Sequence, residues 1–336
     1  MKNMLIAVVM LTVAQGAMAQ TTGSKPSQGA QASPAAGEAW VVPNVDDLGD
    51  DVYGKTVRYG KQLTTNTSAI IGPSVKDAKM RFSGNNLSCQ SCHLNGAATP
   101  YAMPWVGVSA VYPQYRSRGN KVSTIEERIN GCMERSMNGK SLPLDSDEMV
   151  AFVTYMHFLS KGVPIGTRVQ GAGTIKFSPP DRQADTKAGE AVYKQMCASC
   201  HQVNGAGMPN PNSKDGKSYI FPPLWGDDSF NTGAGMHRLL TAAAFIKGNM
   251  PLGATAEKPM LTDDQAYDVA AYINSQPRPV KANLDQDFPA RYNKPVDAAF
   301  PPYIGGGTAE QHQFGPFQPL MKAMKKLQEE HMKNAK

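Results

Sequence analysis

Two stretches of the chain repeat one pattern of apolar and polar positions. Leu144-Asp-Ser-Asp-Glu opens the first, with Met149, Phe152, Val153 and Met156 apolar and Tyr155 eleven positions after the leucine. Leu261-Thr-Asp-Asp-Gln opens the second, with Ala266, Val269, Ala270 and Ile273 apolar and Tyr272 again eleven positions on. Apolar residues at three-to-four spacing form one face of a helix, and an acidic first turn behind an Asp or Thr cap suits its positive end. Further helices are predicted over 50–63 and 186–196, and Ser123-Thr-Ile-Glu126 has the form of a capping box opening a helix over 124–137. Strand patterns are sparse. At the start, Lys2, an apolar run over 4–13 and Ala17-Met18-Ala19 predict a signal peptide over 1–19, too short in its apolar part to cross a bilayer as a helix. A Ser-, Gly-, Gln- and Pro-rich stretch over 20–39 predicts a flexible tether. At the far end Leu320, Met324 and Leu327 predict an amphipathic helix packed on the body.

Composition narrows the fold class. The 31 glycines and 25 prolines interrupt the chain too often for a simple helical bundle and imply short helices joined by long loops. The formal charge is +6. The tail alone holds Lys322, Lys325, Lys326, Lys333 and Lys336 against Glu329 and Glu330, which leaves the body mildly basic, with no stripe suited to nucleic acid. Five cysteines are too few for a disulfide scaffold.

Four of those cysteines lie in Cys89-Gln-Ser-Cys92-His93 and Cys197-Ala-Ser-Cys200-His201. Each is C-x-x-C-H, the attachment signal of c-type haem. Two thiols at that spacing can each add to a haem vinyl group, and the adjoining histidine can offer a nitrogen to the iron. A zinc site would have to bring both pairs together and gives the histidines no separate role. A thioredoxin-like site gives the histidine none. Each half therefore reads as helix, C-x-x-C-H, long loop, helix, and the expected fold is mostly α, with two tandem cytochrome c-type domains each wrapped around one covalent haem.

Each iron needs a second axial ligand. Ile246-Lys-Gly-Asn-Met250-Pro251 offers Met250, with Met208, Met236 and Met260 as competitors. The first half carries Ile129-Asn-Gly-Cys132-Met133, where alignment with the second half places Met133 on Met250 and Cys132 on Asn249. Repeat logic alone selects Met133. Cys132 is the unpaired cysteine, and it reads either as a buried inert thiol or as a functional one. On the predicted helix, Arg128, Cys132, Arg135 and Ser136 share one face, with Arg116 and Arg118 just upstream. A thiol ringed by guanidinium groups is favoured as thiolate and would attract an oxyanion. Glu126, Glu127 and Glu134 are alternative partners for those arginines.

These segments resemble the thiosulfate dehydrogenase family of dihaem cytochromes c. The resemblance rests on both C-x-x-C-H motifs, the segment 128–143 around Cys132, Tyr219-Ile-Phe-Pro-Pro-Leu-Trp-Gly226, and the run from Lys247 to Pro251. It implies that Cys132, not Met133, is the distal ligand of the first haem. It also implies that this haem is the active site and that the second relays electrons. Arg118, Arg128 and Ser136 would line the substrate pocket, to which the helical face adds Arg135. Metal ligands would be His93, Cys132, His201 and Met250. Some relatives carry Lys where this chain has Asn249. Here His/Met ligation of the second iron is expected, with Lys247 near enough to replace Met250 in one redox state. The implied reaction joins two thiosulfates into tetrathionate with loss of two electrons, and is reversible. The implied acceptor is a small soluble cytochrome c or iron–sulfur protein, in the periplasm, with no integral membrane segment after processing. Three rivals are a non-catalytic dihaem electron carrier, a sulfur-oxidising cytochrome acting on a carrier protein's thiol, and a haem peroxidase. The expected organisation after the tether is a catalytic haem c domain over 40–165, a linker over 166–180, an electron-transfer haem c domain over 181–280, and an extension over 281–336, in which the Pro- and Gly-rich stretch 288–319 wraps the second domain.

Overall fold

The computed structural model describes residues 40–213 and 217–334. The expected signal peptide and tether lie outside the described residues. Among these residues the fold is helical, with two short antiparallel hairpins. In the first half, α1 (Val52–Thr65) follows the cap Asp51, α2 (Ile125–Met133) follows Thr124, and α3 (Asp147–Leu159) follows Ser146. In the second half come α4 (Thr186–Met196), α5 (Leu239–Asn249) and α6 (Asp263–Ser275). The extension holds α7 (Ala309–Phe314) and α8 (Gln318–Asn334). Strands β1 (Gln114–Arg116) and β2 (Lys121–Ser123) pair in the first half, and β3 (Met208–Pro209) and β4 (Tyr219–Phe221) in the second.

The two halves share one frame. In each, the helix before C-x-x-C-H packs against the last helix, α1 on α3 and α4 on α6. A glycine makes each crossing possible. A Cβ at Gly60 would strike the Ala151 carbonyl and the Tyr155 side chain, and one at Gly189 would strike the Asp268 carbonyl and the Tyr272 side chain. The tyrosines are those of the eleven-residue repeat. Each also packs edge-on against a tryptophan, Tyr155 with Trp105 at 6.3 Å between ring centroids and Tyr272 with Trp225 at 5.8 Å. One apolar cluster around Leu63, Met149 and Phe152 fills the first half, and another around Tyr193, Val269 and Tyr267 fills the second.

Three local expectations are corrected. The capping box is Thr124 with Glu127, one residue later than Ser123 and Glu126. Helix α2 ends at Met133, four residues short of the predicted end, so Arg135 and Ser136 leave the face that holds Arg128 and Cys132. The N-cap of α3 is Ser146 rather than an aspartate, its hydroxyl accepting from Met149 N at 3.2 Å. The segment expected as a linker lies against the first half, where Tyr101 N and Met103 N donate to the Gly171 and Gly173 carbonyls.

The halves are joined by buried polar contacts. Asn85 Nδ2 donates to Ser136 O and Ser229 O, and the Asn86 amide and side chain donate to Asp228. The extension binds both halves rather than the second alone. Asp287 pairs with Arg118 and Arg135 of the first, whereas Asp297 accepts from Arg238 Nε and Leu240 N of the second. Helix α8 buries Leu320 and Met324 and leaves Leu327 half-buried, as its pattern predicts. No helix among the described residues is long and apolar enough to cross a membrane.

Candidate functional site

Each C-x-x-C-H motif lines a cavity. One, of about 280 Å³, is bounded by Cys89, Cys92, His93, Cys132, Met133 and Ser136. The other, of about 410 Å³, is bounded by Cys197, Cys200, His201 and Met250. The cavities adjoin, since Leu87, Ser88, Cys92, Phe230 and Met236 line both. None of the five cysteines is joined to another in a disulfide.

The donor set fits haem c. His93 Nδ1 lies 2.6 Å from Met103 O, and His201 Nδ1 lies 2.8 Å from Pro222 O. A carbonyl only accepts, so each Nδ1 carries the proton and each Nε2 keeps its lone pair for a metal. This is the usual way a protein fixes the tautomer of a ligating histidine. Burial pushes the Cys89 and Cys92 thiols up to about 12 and Cys197 up to about 11.

Cys132 behaves differently. Burial alone would raise its pKa, but the Arg128 charge and the facing His93 outweigh it and bring it down to about 6. Arg128 Nη1 donates to Cys132 Sγ at 2.7 Å, one helical turn away on α2, and the thiolate raises the pKa of Arg128 in return. Met133, beside it, is 1% exposed and belongs to the first-half core. Met250, its repeat counterpart, has left the helix in extended conformation at the end of α5. The two halves thus end the same motif one residue apart. Among the methionines that competed with Met250, Met236 lines both cavities, whereas Met208 and Met260 line neither.

The arginines separate into two groups. Arg116, Arg128 and Arg168 line the first cavity together with Ser136 and Gln114, and no carboxylate lines it. Arg118 and Arg135 do not line it. Both are held by Asp287, Arg135 Nη2 at 2.7 Å, and Arg135 also meets Glu134 at 3.5 Å. Burial lowers the pKa of Arg118 to about 10, and its guanidinium stacks over Phe288. The structure thus brings Cys132, Arg128 and Ser136 together and sets Arg118 and Arg135 apart. The Lys247 ammonium pairs with Asp263 at the start of α6 and does not line the second cavity. Arg168 was not legible as a site residue, because it sits in a Gly- and Pro-rich stretch that reads only as linker.

Two family models match the chain, the SoxA/TsdA cytochrome c domain over residues 79–165 and cytochrome c over 186–277. The matches cover the two halves, and with them the assignment to tandem cytochrome c domains that bind haem c stands. The thiosulfate dehydrogenase of Psychrobacter arcticus is 42% identical over 74% of this chain and 71% of its own length. That of Allochromatium vinosum is 40% identical over 72% of this chain and 85% of its own. Among solved structures, thiosulfate dehydrogenase (TsdBA) from Marichromatium purpuratum aligns with a TM-score of 0.66 at 36% identity. It matches 74% of this chain, which spans about half of that longer chain, 51%. With identity of this order running through both halves, the chain belongs to the thiosulfate dehydrogenase family of cytochromes c.

Proposed function

We propose that the chain is an exported, periplasmic dihaem cytochrome c that oxidises two thiosulfate ions to tetrathionate, releases two electrons and can run in reverse. One haem c would be held by Cys89, Cys92, His93 and Cys132. The other would be held by Cys197 and Cys200 with His201 and Met250. When bound, the two haems supply the acceptors for the two electrons. A small soluble cytochrome c or iron–sulfur protein is the partner that would take them onward.

The observation that carries this reading is a half-buried thiol that accepts from Arg128 Nη1 at 2.7 Å, in a cavity lined by three guanidinium groups and, among the described residues, by no acid. Thiosulfate is a dianion with a soft outer sulfur, and guanidinium groups hold sulfonate oxygens through paired N–H donors. The Cys132 thiolate and the outer sulfur of one thiosulfate form an S–S bond, giving Cys132–S–S–SO3− as two electrons leave. The outer sulfur of a second thiosulfate then attacks the sulfane sulfur. The Cys132–sulfur bond breaks, the new S–S bond completes tetrathionate, and the thiolate returns with no further change in electron count. Arg128 stabilises that thiolate, and Ser136 offers a hydroxyl to the substrate. Arg118 and Arg135 act as positioning residues through Asp287, Arg135 standing next to Ser136 in sequence. Phe230, Met236 and Cys92, common to both cavities, give the electrons a short path.

The test is product stoichiometry. The haem-loaded protein with thiosulfate and ferricyanide should give one tetrathionate per two thiosulfates and two electrons. Haem reduction without tetrathionate would leave an electron carrier instead.

A further inference from the structure

The first cavity holds more cationic groups than one thiosulfate needs at Cys132. Arg128 is committed to the sulfur. Arg116, on β1, is half-buried and makes no ion pair among the described residues. Burial and then the Arg128 charge lower its pKa, and Arg168 adds to the same effect. Arg168, on the segment after α3, is exposed and holds only Gln114 Oε1, at 3.3 Å. Arg116 and Arg168 line one cavity near enough for the Arg168 charge to act on Arg116, with no carboxylate among the described lining residues, and like charges repel. That arrangement is stable when an anion comes between them.

Resting on the proposed thiosulfate chemistry, we propose that Arg116 and Arg168 form a second oxyanion subsite, which holds the sulfonate of the attacking thiosulfate. The chemistry requires such a site. The second step brings a dianion up to a Cys132 adduct that already carries one negative charge. Unless the incoming sulfonate is neutralised, its repulsion opposes the approach of the two sulfurs. Arg128 and the Cys132 end take the first ion, while the pair at the mouth takes the outer sulfonate of the second. Once the S–S bond has formed, the same pair holds one end of tetrathionate. Arg168 arrives from a segment tied back to the first half through Gly171 and Gly173, so the subsite is part of the body.

The experiment compares the haem-loaded wild type with Arg116→Gln, Arg168→Gln and the double variant. Glutamine keeps a donor and removes the charge. Tetrathionate binding to the oxidised protein is read by calorimetry. Haem content and potential are read beside it. Each single change should weaken tetrathionate by about tenfold, and the double change by about a hundredfold, the usual range for losing a charge-assisted hydrogen bond. KM for thiosulfate should rise in parallel. The Arg116→Lys variant, which keeps the charge on a different geometry, should fall between. Unchanged tetrathionate affinity in the double variant overturns the subsite. So does a loss of haem or a shifted potential at unchanged affinity, since the arginines would then serve the haem's own carboxylates. A wild type that binds tetrathionate but oxidises no thiosulfate overturns the proposed function alone, and the variants' affinities still decide the subsite.

Discussion

The two cavities are built on one frame and differ in charge. The larger, around His201 and Met250, is lined among the described residues by no Asp, Glu, Lys or Arg. The smaller, around His93 and Cys132, has three arginines and a thiol drawn toward thiolate. In the larger, the residue before the methionine is Asn249, whose amide is spent on Phe245 O and, across the halves, on Tyr101 O. In the smaller, the equivalent residue is Cys132. A site that only passes electrons gains from a neutral, closed lining, because charge and water raise the reorganisation around it. A site that must gather dianions needs fixed positive charge and a nucleophile. On the proposed function, the shared scaffold divides the labour, with catalysis at the first cavity and electron transfer at the second.

The sharpest way to break the comparison is to erase it. Cys132→Asn gives the first half the Ile-x-Gly-Asn-Met pattern of the second. Thiosulfate turnover should fall by about three orders of magnitude, as for loss of a covalent nucleophile. Low-temperature EPR and near-infrared MCD should lose a His/thiolate signature from one haem while the other keeps its signal. Near-normal turnover in this variant would remove Cys132 from the chemistry.

Much of the frame was legible from sequence because periodic features report themselves. The C-x-x-C-H motifs, the capped amphipathic helices and the tyrosine repeat all recur at matching places. Helix α4 spans the very residues predicted for it, since Asp185 caps it and Cys197 ends it. The site was less legible because arginine contacts are decided across long sequence separations. Arg118 and Arg135 looked available next to Cys132, but their acid lies in the extension, at Asp287. Arg168 looked like linker and lines the cavity. The one-face argument failed with the helix itself. Ser83 Oγ and Gly84 N donate to Met137 O, Lys140 N donates to Phe82 O, and Gly139 N donates to Met133 O, which holds a turn where helix α2 stops. Gly60 and Gly189 were also missed, although their signal is a helix whose apolar face carries a glycine.

Those glycines sharpen the comparison from the side of likeness. Gly60→Ala and Gly189→Ala each push a methyl into a backbone carbonyl of the facing helix, which cannot rotate away. Each should cost about 3 kcal/mol, at the upper end for overpacking, in urea unfolding of the haem-loaded protein. Equal costs would confirm one shared crossing, and a mild effect at one site would show that its half is packed on other contacts.

The next contrast concerns the extension, which holds the first half by an acid. Asp287 is 9% exposed at its side chain and faces two guanidinium groups. Asp287→Asn should destabilise the protein by about 2 kcal/mol, because removing one partner leaves buried like charges together. Restoring stability by adding Arg118→Met would identify the repulsion as the cause. No recovery would mean that the carboxylate's other contacts dominate.

The smallest predicted difference appears in acid and belongs to the second half. His237 lies two residues before α5, with Nδ1 donating to Thr232 O at 3.0 Å. Burial, then the Arg278 charge, lowers its pKa from 6.5 to about 4. Between those values the unfolded chain binds a proton that the folded chain refuses. Stability is therefore full above about pH 6.5 and declines as pH falls toward about 4. The loss through this one group should be on the order of 1–2 kcal/mol, less than the whole shift implies because the ring is only part-buried. His237→Asn keeps a donor for Thr232 and cannot take up a proton, so its unfolding free energy should decline less between pH 7 and pH 4. Equal declines in variant and wild type would assign the acid sensitivity of the second half to other groups, with His312, also lowered by burial, next to be replaced.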